Sequence, residues 1–189
     1  MAELARNPRC MNTLQQELDE QIGKNSAVKE LDLPKLKYLD ACLKETLRLH
    51  PTGQLLLPHQ AAESCRVMGY TIPKGARVVV NAWAIGRDPG VWDEPLVFRP
   101  ERFVAKPGLD FKGNDFELAP FGSGKRMCIG MSMAARKIPL VVANLVHAFD
   151  WCLPEGNNIT VSNIDMTEKY GLAMRLNRPL HLVPKPKTA

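Results

Sequence analysis

The chain has 189 residues, 45% of them hydrophobic, and a net charge of +5, so it is long enough for one domain with a real core. Its Lys and Arg residues are scattered with no block of like charge, which gives no support to nucleic-acid binding. Five cysteines, Cys10, Cys42, Cys65, Cys128 and Cys152, lie far apart with no CxxC pair, which argues against a disulfide scaffold or a zinc ribbon and suits a reducing compartment. No apolar run reaches the ~18 residues of a membrane span, and the opening residues carry no signal-peptide or anchor pattern.

Residues 1–8 read as the last turns of a helix, ended by Asn7-Pro8. A second helix covers residues 11–22, where Leu14, Leu18 and Ile22 form one stripe and Gly23 is the stop. Asp32 and Pro34 mark the start of a third, with Leu36, Leu39, Leu43 and Leu47 at helical spacing and His50-Pro51 at its end. Glu45 and Arg48 share one side of this helix. On the helix alone they read as a surface ion pair worth under ~1 kcal/mol. Residues 52–80 change to short strands and turns. Residues 66–72 read as a strand interrupted by Gly69, and 77–81 as a second strand, the two forming a hairpin around Pro73-Lys74-Gly75. Residues 82–86 suit a short helix. Residues 91–115 hold Pro95, Pro100, Pro107, Gly108 and Gly113 and no repeating apolar pattern. A long irregular segment like this is usually functional or packed around something. Arg102 within it reads, by itself, as a solvated loop arginine. Residues 129–149 form a long apolar helix whose composition implies burial, with a kink at Pro139. The remainder is a β-like tail with turns at 155–158 and 169–171 and a last strand at 180–183.

The chemistry converges on Phe121-Gly122-Ser123-Gly124-Lys125-Arg126-Met127-Cys128-Ile129-Gly130. Gly122, Gly124 and Gly130 let the backbone take positive φ and come close to a ligand. Cys128 stands at a helix N-terminus beside Lys125 and Arg126, and each of these features favours thiolate. Three uses remain open on the residues: a nucleophile, an axial ligand to a metal cofactor, or an inert cysteine in a Gly-rich turn. A nucleophile needs a base, and His50, His59, His147 and His181 stand in no recognisable catalytic motif. A phosphate-binding loop in its standard form is excluded, because Gly124-Lys125 is followed by Arg126 rather than Ser or Thr.

The pattern Phe121-x-x-Gly124-x-Arg126-x-Cys128-x-Gly130 resembles the haem-binding signature of the cytochrome P450 superfamily at every position. Glu45-Thr46-Leu47-Arg48 resembles the family's ExxR element, and Pro100-Glu101-Arg102-Phe103 its PERF element. Three motifs in family order are far more specific than one. Asn81-Ala82-Trp83-Ala84-Ile85-Gly86-Arg87-Asp88-Pro89 and Asp115-Phe116-Glu117-Leu118 are similar to plant microsomal members. The resemblance runs along the whole chain and implies an α+β, mainly helical fold: the C-terminal, haem-ligand part of the family's fold as one partial domain, residues 1–189.

The resemblance also implies roles. Cys128 is the axial thiolate of haem b (iron protoporphyrin IX), a ligand that pushes electron density onto iron. Gly124 aims it, Gly130 and the N–H groups after it surround the sulfur, and Phe121 packs on the porphyrin face. Arg126 and His59 pair with propionates. Glu45, Arg48 and Arg102 form a buried charge network. Residues 52–57 and 170–172 line the substrate pocket, and Lys125, Arg136 and Lys137 belong to a basic face for an NADPH-cytochrome P450 reductase. The implied activity is a monooxygenase that inserts one oxygen atom from O₂ into an apolar small molecule: a terpenoid, phenolic or alkaloid. The implied place is the cytosolic face of the endoplasmic reticulum membrane. The family's acid-Thr helix for O₂ activation has no counterpart here, so no catalytic residue is assigned. A truncated inactive fragment and a non-catalytic haem-binding module stand as alternatives, and an isomerase or dehydratase using the same haem site is a further one.

Overall fold

The computed structural model describes residues 1–154, 160, 163–171 and 173–187. The turn expected at 155–158, and Leu172 in the expected pocket-lining turn, lie outside the described residues. The helices are α1 (Ala2–Arg6), α2 (Pro8–Ile22), α3 (Lys37–Leu49), α4 (Ala82–Ile85), α5 (Glu101–Ala105) and α6 (Met131–Ala148). The strands are β1 (His59–Gln60), β2 (Cys65–Val67), β3 (Tyr70–Ile72), β4 (Arg77–Val78), β5 (Phe149–Cys152), β6 (Glu168–Lys169), β7 (Arg175–Leu176) and β8 (Val183–Pro186). They pair antiparallel as β1 with β4, β2 with β3, β5 with β8 and β6 with β7.

Helix α2 begins at Pro8, three residues earlier than the expected start at 11, because Pro8 fits the first turn, where no N–H is needed. Gly23 ends it at φ 83°, a left-handed value suited to glycine. Asp32 does not cap α3. Its carboxylate accepts from Lys29 N–H (3.1 Å) and closes a 3₁₀ turn, Glu30–Lys35, that contains Pro34. The acceptor at the start of α3 comes from another helix: Glu17 of α2 takes the Tyr38 and Leu39 N–H groups at 2.7 and 3.0 Å.

The expected hairpin is corrected. The turn lies at Met68-Gly69, inside residues 66–72, and β4 pairs with β1 instead. Met68 and Gly69 both have positive φ (50° and 87°), the pairing of a type I′ two-residue turn, whose twist matches the flanking strands. PERF, expected in an irregular loop, opens α5 with Pro100 at its cap. The last strand falls at Val183–Pro186, later than 180–183, where β5 supplies its partner. Helix α6 runs unbroken through Pro139 and is not buried all round: Met133 and Val141 are 56% and 57% exposed.

Two apolar clusters form the core. Leu4, Leu14, Leu18, Leu36, Leu39, Cys42, Leu49, Ala143 and Val146 join α1, α2, α3 and α6. Ala41, Trp92, Phe103, Phe111 and Leu118 form the second, with Leu43, Leu47, Phe121 and Met131 packed against it. Helix α3 therefore stands between the clusters and feeds both.

Candidate functional site

The Gly-rich segment is a closed loop seated on the second cluster. Phe121 C=O accepts Cys128 N–H at 2.9 Å, so the ends of the loop meet. Within it Met127 N–H reaches Gly124 C=O (3.2 Å), making one 3₁₀ turn, Gly124–Arg126. Gly122 and Gly124 hold φ of 73° and 66°, values where an L side chain strains the backbone. The Phe121 ring packs on Phe111 with centroids 5.5 Å apart. After the loop, Met131 N–H donates to Cys128 C=O (3.2 Å) and Ala134 N–H to Gly130 C=O (2.9 Å), which starts α6.

This frame turns the thiol outward. Cys128 is free and exposed, and Arg126 and Ile129 beside it are exposed too. A Cβ on Gly130 would lie 3.7 Å from Cys128 Sγ, so this glycine keeps the far side of the sulfur open. Neither Arg126 nor His59 has an ion-pair partner among the described residues, and His59 sits exposed on β1. Among the described residues no hydrogen bond or ion pair joins the His59 side chain to the loop.

Glu45, Arg48 and Arg102 come together in one buried network, which replaces the surface-pair reading of Glu45 and Arg48. Glu45 is 0% and Arg48 1% exposed. The Arg48 guanidinium donates from Nε and Nη2 to the two carboxylate oxygens of Glu45, at 2.7 and 2.8 Å. Arg102 Nε (3.1 Å) and Arg99 N–H (2.8 Å) donate to Glu45 Oε1 as well. The rest of the Arg48 fork is taken by carbonyls of Gly86, Pro95 (2.7 Å) and Val97 (3.3 Å). Arg102 ties Asp93 C=O at 2.8 Å. Arg102 is the more open of the two guanidinium groups, and burial still pulls its pKa downward against the pull of Glu45.

Sequence reasoning missed two partners of this network and one link beside it. Trp92 lies under both guanidinium groups, with Arg48 at 5.1 Å and Arg102 at 5.9 Å from its ring centroid. Gly86 is required by close approach, because a Cβ there would collide with Arg48 C=O. Tyr38 OH donates to Glu101 (2.8 Å) and links α3 to α5. A signal existed only for Gly86, a glycine at a helix end.

The segments expected to line a pocket do meet. A small cavity of about 60 Å³ is lined by Thr52, Gly53, Gln54, Leu55, Leu56, Tyr170, Gly171 and Met174. Leu56 also reaches the thiol loop: a Cβ on Gly122 would lie 3.6 Å from Leu56 Cδ1. Lys125, Arg136 and Lys137 are exposed, and Arg136 pairs with Glu30 at 3.4 Å.

Comparison with known proteins bears on the whole chain. The cytochrome P450 family model matches residues 1–181. The flavonoid 3'-monooxygenase of Petunia hybrida is 48% identical over 190 residues, covering 99% of this chain and 37% of that protein. The (S)-N-methylcoclaurine 3'-hydroxylase isozyme 2 of Eschscholzia californica is 50% identical over 185 residues, covering 98% and 37%. A zebra fish cytochrome P450 solved with abiraterone superposes with a TM-score of 0.86 at 32% identity, covering 100% of this chain and 42% of that one. The chain thus spans 37% of the length of these two plant relatives. With its thiol loop, buried charge network and mixed helix-and-hairpin fold, the chain belongs to the cytochrome P450 family.

Proposed function

We propose that this chain is the thiolate-bearing part of a haem monooxygenase acting on an apolar aromatic small molecule of the phenolic or alkaloid class. The observation that carries the reading is the exposed Cys128 sulfur, aimed outward by a loop that two positive-φ glycines close. Among the described residues no cluster of three or more His, Cys, Asp or Glu could hold a bare metal ion. A single sulfur suits a metal that brings its other ligands with it. The residues around Cys128 fit haem. The sulfur is a soft donor, Ile129 and Phe121 offer apolar surface, and the Arg126 guanidinium and the His59 ring, both exposed, offer N–H donors for propionates.

In this reading the N–H groups that follow Cys128 orient and polarise the sulfur. Phe121 shields it from water on the core side. Glu45, Arg48 and Arg102 hold α3, α4 and α5 in register under the loop, so they position and do not react. When bound, haem supplies O₂ activation and transfer of one oxygen atom, using two electrons from NADPH through a reductase. Leu55, Leu56 and Tyr170 shape one wall of the substrate pocket. Lys125 and Lys137 provide cationic surface for an acidic reductase. No helix among the described residues is long and apolar enough to cross a membrane. We place the longer protein at the cytosolic face of the endoplasmic reticulum by family resemblance. The substrate class follows the plant relatives, whose names specify a flavonoid and N-methylcoclaurine.

The test is haem titration of the chain, followed by reduction under carbon monoxide. The expected result is a difference band in the thiolate position that Cys128→Ala abolishes. A band that survives Cys128→Ala, or no haem capture by the folded chain, refutes the assignment.

A further inference from the structure

His50 ends α3 and is not part of the thiol loop or the charge network. Its two ring nitrogens face two different carboxylates. Nδ1 lies 2.7 Å from Glu168 Oε1 on β6, and Nε2 lies 2.8 Å from Glu3 Oε1 on α1. Each carboxylate is itself tied down. Glu168 Oε2 accepts from Gln54 Nε2 at 2.9 Å, and Glu3 Oε2 from Asn7 Nδ2 at 3.2 Å. A neutral imidazole has one N–H and one lone pair. Against two acceptors it would satisfy one contact and set lone pairs against each other at the second. The imidazolium alone donates to both.

We propose that His50 is held as an imidazolium clamp that positions the pocket-lining residues 52–56, Tyr170, Gly171 and Met174 against the end of α3. The pocket role rests on the reading given under Proposed function; the clamp itself rests on geometry alone. His50 is followed directly by residues 51–56, and Gln54 shares Glu168 with it. Glu168 lies two residues before Tyr170. Met174 N–H closes the other side by donating to Thr52 C=O at 2.8 Å. Releasing Glu168 frees the β6 and β7 hairpin from α3 at its only ionic tie among the described residues. His50 is a positioning residue: it touches no reacting atom.

The charged groups around the ring are Glu3 and Glu168, with Arg175 and the Met1 amino group lining the adjoining cavity of about 220 Å³. Arg87 acts on Glu168 from a greater distance. Burial works against charge on His50, and the hydrogen bonds it donates to Glu3 and Glu168 override it, so the pKa is raised from its ordinary value. A raised value gives a definite sign. The clamp contributes fully below the ordinary histidine range near ~6.5 and is lost as pH rises through the raised folded value.

The experiment follows the His50 ring resonance of the full chain by NMR against pH, alongside hydrogen exchange at the Met174 amide. The His50→Gln variant assigns the resonance among the four histidines. The expected result is a midpoint above the ordinary histidine value and, across it, a loss of Met174 protection of about tenfold beyond the intrinsic pH dependence of exchange. Glu168→Gln should lower the midpoint and remove the step at Met174 while leaving the Leu14 amide in α2 unchanged. A His50 midpoint at or below the ordinary value overturns the proposal. So does Met174 protection that ignores that midpoint. Neither readout involves haem, so failure of the thiolate assignment and failure of the clamp are separable.

Discussion

Truncation of Glu45 tests whether the buried network holds the fold under the thiol loop. The carboxylate is 0% exposed. It accepts Arg48 Nε (2.7 Å), Arg48 Nη2 (2.8 Å), Arg102 Nε (3.1 Å) and Arg99 N–H (2.8 Å). Glu45→Ala leaves three guanidinium N–H groups and one backbone N–H without an acceptor. It also leaves the Arg48 charge buried and uncompensated, and breaking a buried pair in that way costs about 3–5 kcal/mol. Against a total stability of about 5–15 kcal/mol, that is a large share. Arg102→Ala should cost less, about 1–3 kcal/mol, because Glu45 keeps Arg48 and Arg99 N–H. The double change Glu45→Met with Arg48→Met should cost less than the sum of its singles, with a coupling of about 1–3 kcal/mol. Urea unfolding followed by tryptophan fluorescence reads the parent chain and every variant, the Glu45→Met and Arg48→Met singles included, since Trp92 lies against both guanidinium groups. A Glu45→Ala loss under ~1 kcal/mol would place this site among ordinary surface changes and refute the reasoning. Additive singles would refute the coupling.

Two further changes probe how α3 is seated. Gly86→Ala drives a methyl group into Arg48 C=O, and a forced backbone shift of that kind should cost about 1–3 kcal/mol in the same unfolding assay, against a few tenths if α4 moves freely. Glu17→Ala removes the acceptor for Tyr38 and Leu39 N–H, so the first turn of α3 should lose about 0.5–2 kcal/mol and fray in hydrogen exchange, whereas Glu17→Gln, which keeps one acceptor oxygen, should lose less.

Local chemistry made much of this chain legible. Gly23, His50-Pro51 and Pro8 mark helix ends by conformational rules that act within a few residues, and α2 and α3 end where those rules place them. The loop at 121–130 was readable for the same reason: its glycines, cations and cysteine are contiguous. What depends on distant partners was not readable. The cap of α3 is Glu17, twenty-one residues before Tyr38. The second half of the expected hairpin pairs with β1 because two positive-φ residues close the chain earlier, at Met68-Gly69. The apolar stripe of α3 misled in an instructive way. Leu43 and Leu47 are only half-buried, while Glu45 and Arg48 beside them are among the deepest positions of the helix. Periodicity ranks residues by their cost in water and cannot see that a carboxylate with four donors is satisfied without it.

That depth explains the division of labour in the fold. An apolar α3 would pack its two clusters into one continuous core, which tolerates exchange of side chains of similar volume. A satisfied charge network has directional bonds and fixed partners, so it sets α3 against α4 and α5 in one register, at Gly86, Pro95 and Asp93. The second cluster then rests on a helix that cannot slide, and Phe121 anchors the loop to that cluster. Cys128 is exposed and belongs to neither apolar cluster among the described residues. Its position is inherited from Phe121 C=O, from the two left-handed glycines and, below them, from Glu45 and Arg48. A sulfur left open to solvent cannot be fixed by burial, so its placement has to come from the rigidity of what lies beneath.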